Sequence, residues 1–268
     1  MTQVPVSVVM PCFRCAQSVA EAVHSARDQT VLPLELIAVD DASDDETPEV
    51  LRALQRTCGS EWLRVIRLER NRGAAAARNA GWEAARGKYV AFLDADDSWH
   101  PRKIEIQHAW MAANPAVQVS AHDSALVPRG QPPVEVPGQP AVRFPSRRSY
   151  LFTNPFITPS VMLRRDLPYR FREGSRYMED HLLWQTMALS GERIAVLQAP
   201  LAAIHKAPYG AGGLSAHLLA MERGELANYW ALRGKRLISL PTALALSVFS
   251  LMKFARRLVI VALRQSGG

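Results

Sequence analysis

The chain has 268 residues, 48% of them hydrophobic, which is ample for one large buried core with or without an appendage. Its formal charge is +7, but no Asp or Glu occurs from Leu226 onward, while Arg233, Lys235, Arg236, Lys253, Arg256, Arg257 and Arg264 all do; the rest of the chain balances 25 basic against 25 acidic residues. A nucleic-acid binder spreads basic charge over the folded body and interleaves it with aromatics, so this distribution excludes that class and directs the C-terminus toward an anionic surface, a membrane above all. Cys12, Cys15 and Cys58 fit a reducing compartment, and one C-x-x-C without a second Cys or His pair is a weak zinc signal. The first residues lack a charged stretch followed by a long apolar one, so the expectation is a chain without a signal peptide, located in the cytoplasm.

Val6 to Met10 is a β-rich apolar run stopped by Pro11, and Gln17 to Gln29 reads as a helix with Val19, Ala22, Val23 and Ala26 on one face. Leu34 to Val39 is a second strand ending in Asp40 and Asp41. Ser43 and Glu46 fit a capping box before a helix with Pro48 in its first turn. Leu63 to Leu68 is a third strand, alanine-rich Gly73 to Arg86 a helix stopped by Gly87, and Tyr89 to Leu93 a fourth strand. Pro101 to Asn114 and Val117 to Ala121 continue the alternation. Prolines 128, 132, 133, 137, 140 and 145 mark an irregular connection. Ser160 to Leu163 is a further strand, Tyr177 to Leu189 leads into and forms a helix closed by Gly191, and Ile194 to Leu197 and Leu201 to His205 are two short strands before a glycine-rich Gly210 to Gly213. Strands alternating with helices predict an α/β fold: a Rossmann-like, mixed and mainly parallel sheet flanked by helices.

Two of the predicted strands, the second and the fourth, end in acidic clusters: Asp40 and Asp41, then Asp94, Asp96 and Asp97. Carboxylates crowded on one turn repel one another unless a cation or several hydrogen bonds compensate, and hard divalent ions such as Mg²⁺ and Mn²⁺ choose oxygen ligands of this kind. A solvated acidic turn that caps the next helix explains one such cluster equally well. Two at matching strand ends place a crevice at one sheet edge, where open α/β sheets bind ligands. The first glycine is Gly59, so the first strand-to-helix turn cannot wrap phosphate in a glycine-rich loop; any phosphate bound there needs metal and side chains.

The segments VSVVMPCF, QTVLPLELIAVDDASDDET, NRGAAAARNAGWEAARGKYVAFLDADD and YMEDHLLWQTMAL, in that order over Val4 to Ser215, resemble the family-two glycosyltransferases of GT-A fold. The resemblance implies a nucleotide-sugar donor, a UDP-sugar by preference, an Mn²⁺ or Mg²⁺ ion at the D-x-D, and inversion at the anomeric carbon. It implies a catalytic domain over 1–215, with residues 1–122 as the nucleotide-sugar half and 123–215 as the acceptor half. Carried over residue by residue, Pro11 and Phe13 resemble first-strand contacts to the base, and Asp41, beside Asp40, the carboxylate that meets it. Arg78, Asn79 and Ala95 resemble donor contacts. Asp94 and Asp96 resemble the metal ligands, with His205 a looser third, and Asp180 resembles the catalytic base. Each has an ordinary reading beside it: Asp180 as a carboxylate favoured at a helix start, Arg78 as a solvated or paired arginine, His205 as a structural histidine. PCFRC departs from the commoner Pro-x-Tyr-Asn, keeping a ring at Phe13 without its hydroxyl, and the Gln-x-x-Arg-Trp of processive synthases is absent.

The tail, 216–268, is predicted to be helical and basic. Leu237 to Met252 would reach only about 24 Å as a helix, short of the roughly 30 Å of a hydrocarbon core. At 100° per residue Ser239, Thr242, Ser250, Lys253, Arg256, Arg257 and Arg264 share one face and Leu240, Leu244, Leu251 and Leu258 the other, the pattern of an amphipathic helix lying on an anionic leaflet. The expected partners are thus a nucleotide-sugar donor, a glycan or lipid-linked acceptor and the inner face of a membrane. The competing functions are a phosphatase using the D-x-D carboxylates and an inactive sugar-nucleotide-binding or membrane-scaffolding module.

Overall fold

In the computed structural model, which describes residues 2–131, 133–205 and 218–266 and side chains of the last helix as far as Arg256, the first half of the chain forms a parallel sheet. The strands β1 (Gln3–Cys12), β2 (Leu32–Asp40), β3 (Leu63–Arg67) and β4 (Tyr89–Phe92) lie in the order β3-β2-β1-β4. Their runs are apolar without alternation because both sheet faces are covered: Val6, Val8, Met10, Leu36 and Ala38 point to one core, and Val9, Ile37, Val39, Val90 and Phe92 to the other. The helices α1 (Val19–Arg27) and α2 (Thr47–Cys58) pack on the first face and α3 (Ala74–Ala84) on the second. Gly81 lets α3 sit close to β1, since a Cβ there would lie 2.4 Å from a Val9 methyl. The chain runs outward from β1 through β2 to β3 and then returns to β4 on the other side of β1, so β1 and β4 flank the topological switch point.

Two local expectations change. The capping box does not form: α2 starts at Thr47, whose N–H donates to Asp45, while Ser43 turns back to accept the Arg14 N–H at 3.1 Å. The third helix ends at Ala84, ahead of Gly87, whose absent side chain instead lets the backbone pass the Pro5 carbonyl, 2.7 Å from where a Cβ would stand.

The second half extends the sheet. After the two-residue β5 (Ser98–Trp99) and helix α4 (Lys103–Ala113) come β6 (Val119–Leu126), β7 (Val142–Arg143) and β8 (Met162–Arg164), the last preceded by a 3₁₀ turn at Thr158–Ser160. Helix α5 (Glu179–Ser190) leads to β9 (Ile194–Ile204). The two short strands expected here are one eleven-residue strand, because β9 pairs in parallel with β6 and the irregular register on either side of Asp123 absorbs Gln198, Ala199 and Leu201. The β4–β8 and β6–β8 pairs are antiparallel, so the sheet is mixed as predicted. Gly210 to Gly213 lie outside the described residues.

Helices α6 (Leu218–Gly234) and α7 (Leu240–Ser266) pack on one another, and Tyr229, Leu232 and Leu246 join Leu182 of α5 in a small core. The helical tail is as expected, but Ser250 and Lys253 of its polar face are turned inward, while Ser239 and Arg256 stay exposed. The Ser250 hydroxyl donates to Glu222 at 2.7 Å and the Lys253 ammonium to Glu225 at 2.9 Å, while Leu240, Leu244, Val248, Leu251 and Met252 face solvent. The two glutamates on α6 supply partners that a helix analysed alone does not have. The side chains of Arg257, Leu258 and Arg264 lie outside the described part. No helix among the described residues is long and apolar enough to cross a membrane.

Candidate active site

Because β1, β2 and β4 are parallel, their C-terminal ends share one edge, and a cavity of about 410 Å³ opens there. Pro11, Phe13, Asp41, Arg78, Asp94, Ala95 and Asp96 all line it, joined by Cys12, Arg14, Cys15 and Ser18. A larger cavity of about 710 Å³ lies between residues 168–172, α5 and α6. No carboxylate lines that one, so the chemistry assigns the site to the smaller.

Arg78 ties the cavity together. It is buried on α3; its Nη2 donates to Asp94 Oδ1 at 2.8 Å and its Nη1 to Glu179 Oε1 at 3.3 Å. Burial opposes its charge, but Asp94, Glu179 and Asp180 outweigh that and hold the guanidinium firmly protonated. Burial followed by the neighbouring Asp180 pushes the Glu179 carboxyl up from the usual range, against the pull of Arg78. Asp180, next along α5, accepts the Thr158 hydroxyl at 3.0 Å and its neighbour's N–H at 2.7 Å. Arg78 therefore bridges the acidic turn after β4 and the Glu-Asp pair that opens α5, whose Glu179 lies 101 residues further along the chain than Arg78.

Three non-glycine residues with left-handed backbone flank this region: Arg14 (φ 48°), Ala42 (φ 56°) and Met178 (φ 60°). Each such residue costs about 1–2 kcal/mol, and strain of this kind collects where side chains must be aimed. Met178 sits immediately before Glu179, and α6 clamps it: Asn228 donates to its carbonyl at 2.8 Å, and Gly224 passes so close that a Cβ would stand 2.9 Å from the Tyr177 carbonyl. Nothing in the local sequence announces this clamp.

The remaining predicted residues separate. Asp41 lines the cavity while its carboxylate accepts the backbone N–H groups of Arg72 at 2.8 Å and Gly73 at 2.7 Å, holding the turn into α3. Asp40 points below the floor, 1% exposed, bonded to the Ser43 N–H and 3.4 Å from Arg67. Asn79 turns away from the cavity and exchanges hydrogen bonds of 2.9 Å with the backbone of Phe171. His205 lines a separate small cavity, its Nδ1 on the Val127 carbonyl at 2.7 Å and its Nε2 2.9 Å from the Ser98 hydroxyl. Glu179, Arg14, Cys12 and Cys15 were not assigned from sequence, although the acidic pair at a helix start and the C-x-x-C were visible.

No group of three or more His, Cys, Asp or Glu among the described residues is arranged to enclose a cation. Asp94 and Asp96 on one cavity wall form a two-carboxylate face, which is the donor set for a hard divalent ion that takes its other ligands from phosphate and water. The residues present fit such an ion in that form.

An α/β sheet with an acidic cleft at its switch point is the place where open sheets of this kind bind ligands, and comparison narrows the class. Residues 7–167 match the Glycosyl transferase family 2 model, and the chain belongs to that family. It is similar to the succinoglycan biosynthesis protein ExoO of Rhizobium meliloti, 30% identical over 206 residues that cover 71% of this chain and 58% of that protein. It is also similar to the UDP-Glc:alpha-D-GlcNAc-diphosphoundecaprenol beta-1,3-glucosyltransferase WfaP of Escherichia coli, 35% identical over 108 residues, 40% of this chain and 41% of that one. The match thus spans 41% and 58% of these curated relatives. Among solved structures, the mannosyltransferase PcManGT of Pyrobaculum calidifontis, in complex with GDP-Man and Mn²⁺, superposes with a TM-score of 0.63 at 20% identity, covering 98% of this chain and 79% of that one. That likeness shows the GT-A fold. Asp180 lies beyond the residues matched by the family model.

Proposed function

We infer that this chain is an inverting, metal-dependent glycosyltransferase that moves one sugar from a nucleotide-sugar donor, a UDP-sugar first, to a hydroxyl of a glycan or lipid-linked acceptor. The observation that carries the reading is the cavity at the ends of β1, β2 and β4, whose D-x-D turn is linked through Arg78 on its wall to the Glu-Asp pair of α5 beyond it. Residues 1–122 would bind the donor, with Phe13 and Pro11 against the base and Asp41 holding the wall that meets it. A divalent cation bound by Asp94 and Asp96 would neutralise charge on the diphosphate leaving group. Residues 123–215 would present the acceptor, and Asp180, held by Thr158, would take the proton of its hydroxyl as that oxygen attacks C1 from the face opposite the diphosphate. Arg78 would hold the Asp94 and Glu179 carboxylates in place during transfer. Asp40, Asn79 and His205 would act as supports of this site, at one remove from the donor.

The relatives support a role in surface polysaccharide synthesis, and WfaP's lipid-linked acceptor supports work at the inner face of a membrane. Contact with that surface would be made by the outward leucine stripe of α7, Leu240, Leu244, Val248 and Leu251, with exposed Arg256 beside it facing anionic headgroups. A phosphatase of the D-x-D type carries its motif after the first strand; here it follows β4. The test is thermal shift against UDP- and GDP-sugars with and without Mn²⁺: a donor should stabilise the chain by mass action only when Mn²⁺ is present. Failure of every nucleotide sugar to do so would contradict the reading.

A further inference from the structure

Two thiols that the proposed transfer does not use lie on the wall of the donor cavity. Cys12 ends β1 and is 1% exposed, Cys15 is half-buried, and both line the cavity with Phe13 and Arg14 between them. The left-handed turn at Arg14 brings the two side chains within hydrogen-bonding reach of each other. Both ends of the turn are anchored. The Cys12 carbonyl accepts the Asp41 N–H at 2.8 Å; the Cys15 N–H donates to the Thr47 hydroxyl at 2.8 Å, and that hydroxyl lies 3.9 Å from the Cys15 sulfur. The pair is chemically unequal. Its contact with Cys15 and its burial push the Cys12 thiol up, while the Cys12 and Thr47 hydrogen bonds draw Cys15 down in spite of its own burial. An accessible, more acidic thiol beside a buried, less acidic one is the arrangement of an attacking and a resolving cysteine.

We propose that Cys12 and Cys15 are a dithiol modification site, oxidised by a low-molecular-weight disulfide to an intramolecular disulfide that closes the donor cavity. The Cys15 thiolate attacks one sulfur of the oxidant, whose S–S bond breaks and releases a thiolate. Cys12, passing its proton to that thiolate, then attacks the Cys15 sulfur and expels the second thiolate, which takes up the proton Cys15 had lost. Two S–H bonds are exchanged for one S–S bond, and the oxidant, gaining two electrons, becomes two thiols. A disulfide holds its Cα atoms about 4.4–6.8 Å apart with a dihedral near 90°. Forming one across this turn constrains the two residues between the sulfurs, Phe13, a ring 43% exposed on the same wall, and Arg14, which pairs with Asp44. The effect on ligand rests on the cavity being the nucleotide site.

The full chain is treated with oxidised glutathione, alkylated and weighed intact, and UDP binding with Mn²⁺ is titrated before and after. Expected are a link between Cys12 and Cys15, which then take up no alkyl group and leave the chain about 2 Da lighter than the same chain with both thiols free, and UDP affinity weaker by about tenfold or more, restored by dithiothreitol. Cys15→Ser should show the same UDP affinity with and without oxidant, whatever that affinity is. Cys12 and Cys15 both remaining free or stopping at a mixed disulfide overturns the proposal, as does a linked chain that binds UDP as tightly as the reduced one. If the reduced chain binds neither UDP nor GDP, the nucleotide reading fails while the mass still decides whether the disulfide forms.

Discussion

Two buried glutamates, each paired with arginine, sit at opposite edges of the same parallel sheet, and they are built to different ends. At the edge where the strands begin, Glu35 accepts the Ser7 hydroxyl at 2.7 Å and the Arg86 N–H at 2.8 Å on one oxygen, and Arg64 at 2.7 Å and Arg86 at 2.9 Å on the other. Burial disfavours its charge, yet Arg64, Ser7 and Arg86 outweigh that and hold its carboxyl below the usual range. At the edge where the strands end, Arg78 leaves its Nε without a hydrogen bond, Glu179 is held above the usual range, and the cluster opens into a cavity. A closed network with every lone pair used stabilises the fold. An open one, kept under electrostatic strain beside three left-handed residues, stabilises a geometry instead.

That contrast can be broken by substitution. Asp180→Asn should lower transfer by about 10³-fold, within the span of general-base catalysis, while leaving nucleotide binding and the unfolding midpoint close to wild type; near-normal turnover would remove Asp180 from its role. Arg78→Ala, which leaves Asp94 and Glu179 facing one another without their shared cation, should cost about 3–5 kcal/mol in urea unfolding and depress transfer as well. Arg78→Lys should recover charge without the fork, and so only part of either loss.

Glu35→Gln should cost less, about 2 kcal/mol, and leave the turnover of the folded fraction unchanged. Because its folded pKa lies below the unfolded one, its contribution is present above the ordinary glutamate value of about 4.3 and lost as the pH falls through the folded value. The stability gap between wild type and Glu35→Gln should therefore close in acid; a gap that widened would contradict the assignment. Glu179 has the opposite sign: its raised pKa favours folding below the ordinary value, and that contribution disappears as the pH rises through the folded one. Smallest of all, Asn228→Ala, releasing the Met178 carbonyl, should cost about 1 kcal/mol and reduce transfer more than UDP binding.

Much of this was legible in residue order. Apolar runs spaced by helical stretches gave the first four strands, and the Asp clusters after the second and fourth gave their common edge and the placing of Asp41, Asp94 and Asp96 there. Adjacent residues resisted: Asp40 and Asp41 look alike in the sequence, but strand alternation followed by the left-handed Ala42 turns one under the floor and the other to the cavity wall. Arg78 could not be told from a solvated arginine because its second partner, Glu179, lies 101 residues away. The inward turn of Ser250 and Lys253 on α7 escaped for the same reason. Amphipathicity says which residues share a face, but the glutamates of α6 decided which face was covered.

The central claim is that the edge with Asp94 and Asp96 holds a nucleotide diphosphate through a divalent ion, while Asp180 serves the acceptor. Calorimetric titration of UDP with Mn²⁺ into wild type, Asp96→Ala and Asp180→Asn tests it most directly. The account predicts tight binding to wild type and Asp180→Asn, and its loss in Asp96→Ala and wherever Mn²⁺ is chelated. Equal binding by all three chains, or binding indifferent to the ion, would contradict it.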